Sequence, residues 1–368
     1  MNKIWTPKFT ITPAINRMLL KAEAIRTEIN AMTIPAAAEA EIRHNIKIRS
    51  THYSTYIEGN RLTLKETEQA VTRKQVSFFG RERDVKEVRN YWNALIKVEQ
   101  WAESKTELTE TLIKKIHAIA HDGKPGKSTP YRAGQNVIKD SKSGRIIYMP
   151  PEAKDVPRLM KEMVSWVIRS EKEELAPPII AALAHYQFVT IHPYFDGNGR
   201  TARLLATYLI QKNGYGLHGL YSMEEHHAKE LGKYYKALET HPNHNYYEGR
   251  ENADLTQWLD YFISMLLKAY EGVDNEMGKN KKTGKVNSDL FRQLDRRAKI
   301  IIPLFIDNDE ITTGDIANIL RVSRRMAGNY AAGWVAKKIL ETANKSDKSR
   351  SYKLAGEFRN ILTDIKEK

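Results

Sequence analysis

Residues 192–203, HPYFDGNGRTAR, place a histidine, a carboxylate, three glycine or asparagine residues and two arginines within twelve positions. His192 titrates near neutrality and can take a proton from an attacking hydroxyl. Gly197 and Gly199 flank Asn198 and permit positive φ and close backbone approach. Successive N–H groups can then point into one concavity at a helix N-terminus, where the dipole favours anions. Arg200 and Arg203 lie three apart on one helical face and suit phosphate oxygens. Asp196 is itself negative and makes a poor phosphate ligand; a Mg²⁺ ion held between carboxylate and phosphate would account for it. Base, metal ligand, anion nest and arginines together describe phosphoryl or nucleotidyl transfer.

The elements around this stretch read as mainly α, because helical periodicity is common and strand-like alternation is scarce. Helices are expected over residues 11–34 and 36–58, the second stopped by Gly59. More follow over 62–71, 83–103 and 108–122. The run PPIIAALAHYQFVTI is an apolar helix that delivers the chain into His192, and TARLLATYLIQKNG is a helix with a Gly214 stop. The exception is YRAGQNVIKDSKSGRIIYMPP, where two apolar segments flank a Lys/Ser/Gly turn and predict a β-hairpin over 136–148. His185, on the apolar helix, reads as a packed structural histidine.

The chain has 368 residues and no cysteine, which excludes disulfides, zinc–thiolate sites and cysteine catalysis. No signal peptide and no membrane span are read, and the composition fits a cytoplasmic location. A net charge of +14 suggests an anionic partner. The excess concentrates late: residues 281–353 hold sixteen Lys/Arg against eight Asp/Glu, a net +8.

The motif resembles the signature of Fic-domain proteins, HPFxDGNGRxxR, with Tyr194 in place of Phe as the one departure. Fic domains are helical and transfer AMP from ATP, with Mg²⁺, to a Ser, Thr or Tyr hydroxyl of a target protein. The resemblance implies His192 as general base and Asp196 as the Mg²⁺ ligand. Gly197, Asn198, Gly199, Arg200 and Thr201 would bind the nucleotide's phosphates, with Arg203 reaching the γ-phosphate. It also implies that the 136–148 hairpin is the flap that pairs with the target's backbone. Tyr235 and Trp258, in segments resembling those near the adenine, are the candidates there.

STYIEGN, residues 54–60, ends the second helix on an acid, although a carboxylate at a helix C-terminus opposes the dipole. The stretch is similar to the inhibitory motif [S/T]xxxE[G/N] of autoinhibited Fic proteins. Ser54 and Glu58 lie on one face, and the resemblance implies that Glu58 pairs with Arg203 and occupies the space of the γ-phosphate. Removal of AMP from a modified protein, with Glu58 orienting a water, stays open beside AMP addition, as does a nucleotide-sensing DNA-binding regulator.

The stretch from Ile311 to Leu354 reads as a winged helix-turn-helix. Thr312 or Thr313 would cap its first helix and Ser323 its second. Arg324, Arg325 and Asn329 would face outward, and NKSDKSR would form the wing. DNA and protein are both open as its partner, and so is a homodimer. The expected organisation is an N-terminal helical region over 1–95, a Fic core over 96–270, a linker over 271–288 and the winged helix over 289–368.

Overall fold

The computed structural model describes residues 5–32, 36–73, 75–139, 143–273, 294–305, 308–320, 322–344, 350–356 and 358. The chain is mainly α and divides into two compact units, Met1–Asp274 and Asn275–Lys368. Among the described residues no helix is long and apolar enough to cross a membrane.

The larger unit is built around α7 (Pro177–Ile191), an all-round apolar helix with thirteen of its fifteen residues buried. A helix apolar on every side has to be surrounded. It packs against α6 (Val156–Lys172) and α8 (Asn198–Lys212), and α8 in turn meets α4 (Glu82–Glu103). Helix α1 (Pro13–Ala31) starts at a Thr12 cap followed by Pro13, so it is shorter at both ends than the 11–34 expected. Helix α2 (Ala36–Ile57) packs on α4 and on α9 (Met223–Lys229). The first 95 residues thus share one unit with the motif. Helix α3 (Leu64–Thr72) opens with a capping box between Thr63 and Glu66.

Two sequence expectations are altered here. Residues 108–122 do not form one regular helix: α5 (Glu110–His117) passes into a π-helical turn, Ala118–Asp122, closed by Gly123 at φ 72°. Of the hairpin expected over 136–148, β1 (Ile138–Lys139) pairs antiparallel with β2 (Ile146–Tyr148), Ile138 opposite Tyr148, and residues 140–142 lie outside the described residues. Helix α10 (Leu231–Leu238) and α11, over residues 256–273, complete the unit. The linker expected from 271 therefore starts inside a helix, and its residues 274–288 lie outside the described residues.

Behind the motif lies an aromatic core. His185 stacks on Trp258 with ring centroids 5.0 Å apart and meets the Tyr234 hydroxyl at 3.2 Å. His227 meets the Tyr261 hydroxyl at 3.0 Å, and Trp258 donates to the Ala182 carbonyl at 2.7 Å. The structure makes His185 a packed core residue, as its apolar helix implies.

In the smaller unit α12 (Arg296–Ile301), α13 (Thr313–Leu320) and α14 (Arg324–Ala336) pack with a three-stranded antiparallel sheet. Its order is β3 (Ile311–Thr312), β5 (Ser351–Leu354), β4 (Leu340–Asn344). Thr312 and Asp315 cap α13 reciprocally, and the Ser323 hydroxyl accepts from Met326 N at 3.3 Å at the head of α14. Asp295 caps α12 and also accepts from the Trp334 indole at 2.8 Å, which ties the first helix to the last. Of the loop expected as a wing, residues 345–349 lie outside the described residues.

Burial pushes the pKa of His227 down to about 3 and that of His185 well below its ordinary value. Unfolded histidines bind protons below about pH 6.5 while these do not, so stability rises with pH across that window and is lost as pH falls through it. Each such histidine is expected to cost about 1 kcal/mol of unfolding free energy between pH 6.5 and pH 5.5. Urea titrations at the two pH values should show the loss, and His227→Gln should remove about one histidine's share of it.

Candidate active site

The chain leaves α7 through His192, which adopts a left-handed conformation (φ 52°, ψ 59°) and donates its N–H to the Phe188 carbonyl at 3.0 Å. Pro193 then prevents the helix from continuing. The His192 ring is fixed from below: Nδ1 lies 3.3 Å from the Val189 carbonyl. A carbonyl only accepts, so Nδ1 carries the hydrogen and Nε2 keeps its lone pair. Burial lowers the imidazole's pKa to about 4, against the pull of the Val189 carbonyl. The ring is therefore neutral at physiological pH, with Nε2 as a proton acceptor.

The next five residues form a locked loop. Asn198 Oδ1 accepts from Tyr194 N at 3.0 Å and its amide donates back to the Tyr194 carbonyl at 2.8 Å. The Asn198 side chain is thus consumed in closing the turn, which leaves its backbone N–H for a ligand. Gly197 caps α8 at φ 78°, where a side chain would press on the His117 ring. The first backbone bond of α8 runs from Thr201 N to the Gly197 carbonyl. The preceding amides of Asn198, Gly199 and Arg200 are the first-turn donors that a helix cannot satisfy internally. The Thr201 hydroxyl donates to the Gly197 carbonyl at 2.8 Å, so its role is to hold the turn.

The two arginines differ. Arg200 is 3% exposed, yet its Nε and Nη1 have no hydrogen-bond partner among the described residues. Arg203 is equally buried and nearly satisfied: Nε donates to Ser54 Oγ, and Nη2 to the Ser54 carbonyl and to Glu58 Oε1, all at 2.8 Å. Burial works against its charge, but Glu58 with Tyr234 and Tyr91 outweighs it and raises the pKa further. Helix α2 admits this guanidinium through a face of small polar residues, Ser50, Thr51, Ser54 and Thr55, all buried. Gly59 (φ 91°) ends the helix and turns Glu58 inward. A Cβ on Gly199 would overlap Glu58 Oε1 and lie 3.2 Å from Arg203 Nη1, so the carboxylate rests on the first turn of α8.

Asp196 is half-exposed. Its Oδ1 accepts from Gly197 N at 2.6 Å and lies 3.6 Å from Arg200, while Oδ2 is 3.7 Å from His121. Burial opposes its ionisation, but Arg200 and the Gly197 N–H prevail and hold the carboxyl below its ordinary range. No group of three or more acidic or histidine side chains able to hold a metal occurs among the described residues. One ionised carboxylate is enough for Mg²⁺ that arrives with phosphates and keeps its waters, so Asp196 fits that use and a dedicated metal cage is not required.

Tyr235 stands at the edge of this site, its hydroxyl donating to the Ile57 carbonyl at 3.3 Å. Trp258 does not. It is fully buried in the aromatic core, which corrects its assignment beside an adenine: on an amphipathic helix an aromatic faces the core before it faces a ligand.

Three residues escaped the sequence reading. His117 stacks on Tyr194 at 3.7 Å and donates from Nε2 to the Asp196 carbonyl at 2.9 Å. Tyr194 therefore packs as the family's Phe would, with its hydroxyl buried and unpartnered among the described residues. His121 stands beside Asp196, on the π-helical turn. Arg132 reaches the His192 carbonyl at 3.0 Å from the base of the hairpin. The only hint of the histidines was the spacing in IHAIAHD, and nothing marked Arg132.

Residues 107–210 match the Fic/DOC family. A protein named Protein adenylyltransferase Fic from Nematostella vectensis is 30% identical over 170 residues, covering 45% of this chain and 37% of that protein. Its namesake from Drosophila grimshawi is 29% identical over 202 residues, 54% of this chain and 40% of that protein. The chain thus spans about two fifths of the length of these relatives. A crystal structure of a Fic family protein from Desulfovibrio desulfuricans G20 superposes with a TM-score of 0.68 at 24% identity, over 96% of this chain and 99% of that one. Fic-1 from C. elegans superposes at 0.56 with 21% identity, over 72% and 73%. Both likenesses are of fold. The family match over 107–210 thus coincides with the locked HPYFDGNGRTAR turn and with helices that hold it.

Proposed function

We propose that the protein is a protein adenylyltransferase that transfers AMP from ATP to a Ser, Thr or Tyr hydroxyl of a target protein and is held inactive by Glu58. The observation that carries this reading is the Glu58 carboxylate, seated on the first turn of α8 and paired with Arg203, on the helix that follows a neutral His192 with a free Nε2.

In this reading the first-turn amides of α8 and the open donors of Arg200 and Arg203 take the phosphates of ATP. Asp196 would hold Mg²⁺, which supplies positive charge against the phosphate oxygens. The target lies along the 136–148 hairpin, whose Ile146 and Ile147 are exposed. The target hydroxyl gives its proton to His192 Nε2 and forms the bond to the α-phosphorus as the bond to pyrophosphate breaks. Tyr235, at the edge of the site, would meet the adenine.

Glu58 blocks this geometry because two anions compete for one guanidinium, and close like charges in a site of low dielectric repel by several kcal/mol. ATP phosphates are then kept from the in-line arrangement that attack requires.

The smaller unit is read as a winged helix-turn-helix on its caps, its helix order and its terminal hairpin. Arg324, Arg325 and Asn329 lie on the exposed face of α14, which suits phosphate contacts on DNA.

Three outcomes are expected. Glu58→Gly should raise incorporation of label from α-labelled ATP by about tenfold or more, the equivalent of about 1.4 kcal/mol of relieved repulsion. Arg203→Ala should not mimic it. Equal or lower incorporation in Glu58→Gly would favour AMP removal, with Glu58 orienting a water. His192→Ala in the Glu58→Gly protein should lower transfer on the order of a hundredfold to ten-thousandfold while ATP still binds by calorimetry; transfer at an undiminished rate would rule out His192 as the base. Finally, Arg324→Ala with Arg325→Ala should weaken DNA binding and flatten its log–log salt dependence by about 0.9 per lost phosphate contact. If the intact protein shows no salt-sensitive DNA binding, the partner of that unit is protein.

A further inference from the structure

Arg132 is 4% exposed, and no carboxylate pairs with it among the described residues. Burying an unpaired guanidinium is costly, and the residue persists only if its donors are well used. Its close hydrogen bonds go to backbone carbonyls, and Nη1 also lies 3.5 Å from Gln135 Oε1. Nε donates to His192 O at 3.0 Å, Nη1 to Gly134 O at 3.0 Å, and Nη2 to Pro151 O. The Arg132 N–H donates to Pro193 O at 2.8 Å.

These acceptors fall in three places. His192 bears the imidazole. Gly134 lies just before β1 and Pro151 just after β2, so they are the two roots of the hairpin. Lesser bonds follow the same path: Gln135 to the Pro150 carbonyl at 2.9 Å, Asn136 to the Tyr194 carbonyl at 3.1 Å, and the Tyr148 hydroxyl to the Thr190 carbonyl at 2.8 Å. A planar fork with donors on several sides can bridge three carbonyls spread around it. The His192 carbonyl also needs a partner, because it follows the last turn of α7 in a left-handed conformation that general residues adopt at a cost.

We propose that Arg132 is a positioning residue that fixes the hairpin and the base-bearing turn in one frame, so that an acceptor segment registered on the hairpin is at the same time registered on His192 Nε2. This rests on the reading of His192 as general base and of the hairpin as the acceptor's docking edge. Arg132 is buried, and its bonds are to groups of the protein itself. It acts through the His192 backbone, and with it the ring's bond to Val189, and through both hairpin roots. A misplacement of about 1 Å between hydroxyl and base costs about a hundredfold in rate.

The test uses full-length protein carrying Glu58→Gly, with and without Arg132→Gln. Arg132→Lys is the second variant: it keeps the buried charge and can reach one carbonyl, and it serves if the glutamine variant melts far below its parent. Two quantities are read. The first is the ¹⁵N spectrum of the His192 ring, assigned by loss of its signal in His192→Ala. The second is the ratio of AMP found on the protein itself to AMP released to water from α-labelled ATP. The parent should show one tautomer, protonated at Nδ1, and the Arg132 variants a mixture. The ratio should fall by about tenfold or more, since transfer to a side chain needs both hairpin and base whereas release to water needs the base alone. A single unchanged tautomer, or an unchanged ratio in a variant whose melting temperature has dropped, would show that Arg132 merely stabilises the fold and would overturn the proposal. If the Glu58→Gly parent transfers no AMP at all, the adenylyltransferase reading fails, and the tautomer comparison still decides whether Arg132 positions His192.

Discussion

A guanidinium buried between two helices sets the terms for the rest of this molecule. Arg203 projects from α8 into the face of α2, and its charge has to be met there by acceptors. Ser54 supplies two, a hydroxyl and a carbonyl, and Glu58 supplies a third. Larger or apolar residues at 50, 51, 54 and 55 would hold the helices apart or leave the charge unmet. The sequence there is accordingly Ser, Thr, Ser, Thr, which explains why the last turns of α2 show so little apolar rhythm on their inner side.

The same constraint links stability to activity. A helix N-terminus with free amides and two arginines is complementary to an anion. In the protein alone Glu58 is that anion. It lies over Gly199, where only the absence of a side chain leaves room, and it accepts from Arg203 Nη2. Its position against the helix dipole of α2, unfavourable when α2 is considered by itself, becomes favourable once the N-terminus of α8 faces it. One carboxylate is thus exchanged between two helix ends of opposite polarity.

Much of this was legible in the sequence, and the reasons are specific. HPYFDGNGRTAR is dense enough that no ordinary turn requires its composition, and the Glu-Gly step at 58–59 marks both a helix end and an acid in the wrong place for the dipole. The apolar helix before His192 and the hairpin before it were equally plain, the second as a turn between apolar runs. What stayed hidden has no periodic trace. His117 and His121 share the i, i+4 spacing of any helix face, and that spacing alone does not say that the face meets the 194–196 loop, which is distant in sequence. Arg132 is a lone arginine in a loop, and its use depends on three carbonyls distant in sequence. Trp258 illustrates the reverse error: helical spacing of aromatics is common to a ligand wall and to a core, and burial alone separates them.

The contrast between the two arginines of the motif carries the reasoning one step further. Arg203 spends Nε and Nη2 on groups of the protein and keeps only Nη1 without a partner, whereas Arg200, three residues earlier and just as buried, has both Nε and Nη1 without a partner among the described residues. An unmet buried donor costs on the order of 1–3 kcal/mol, more when charged. Folding therefore leaves Arg200 in a state that an incoming anion improves, while Arg203 is in a state that the same anion has to disturb. Pre-aimed, desolvated donors need no reorganisation when charge arrives, which is the condition for strong electrostatic stabilisation. Under the proposed function, affinity for phosphate would come first from Arg200 and the α8 amides, and productive alignment from Arg203, whose Nη2 is taken by Glu58. Binding and turnover would then be separated by the partner that each arginine has in the unliganded protein, although both residues come from one turn of one helix.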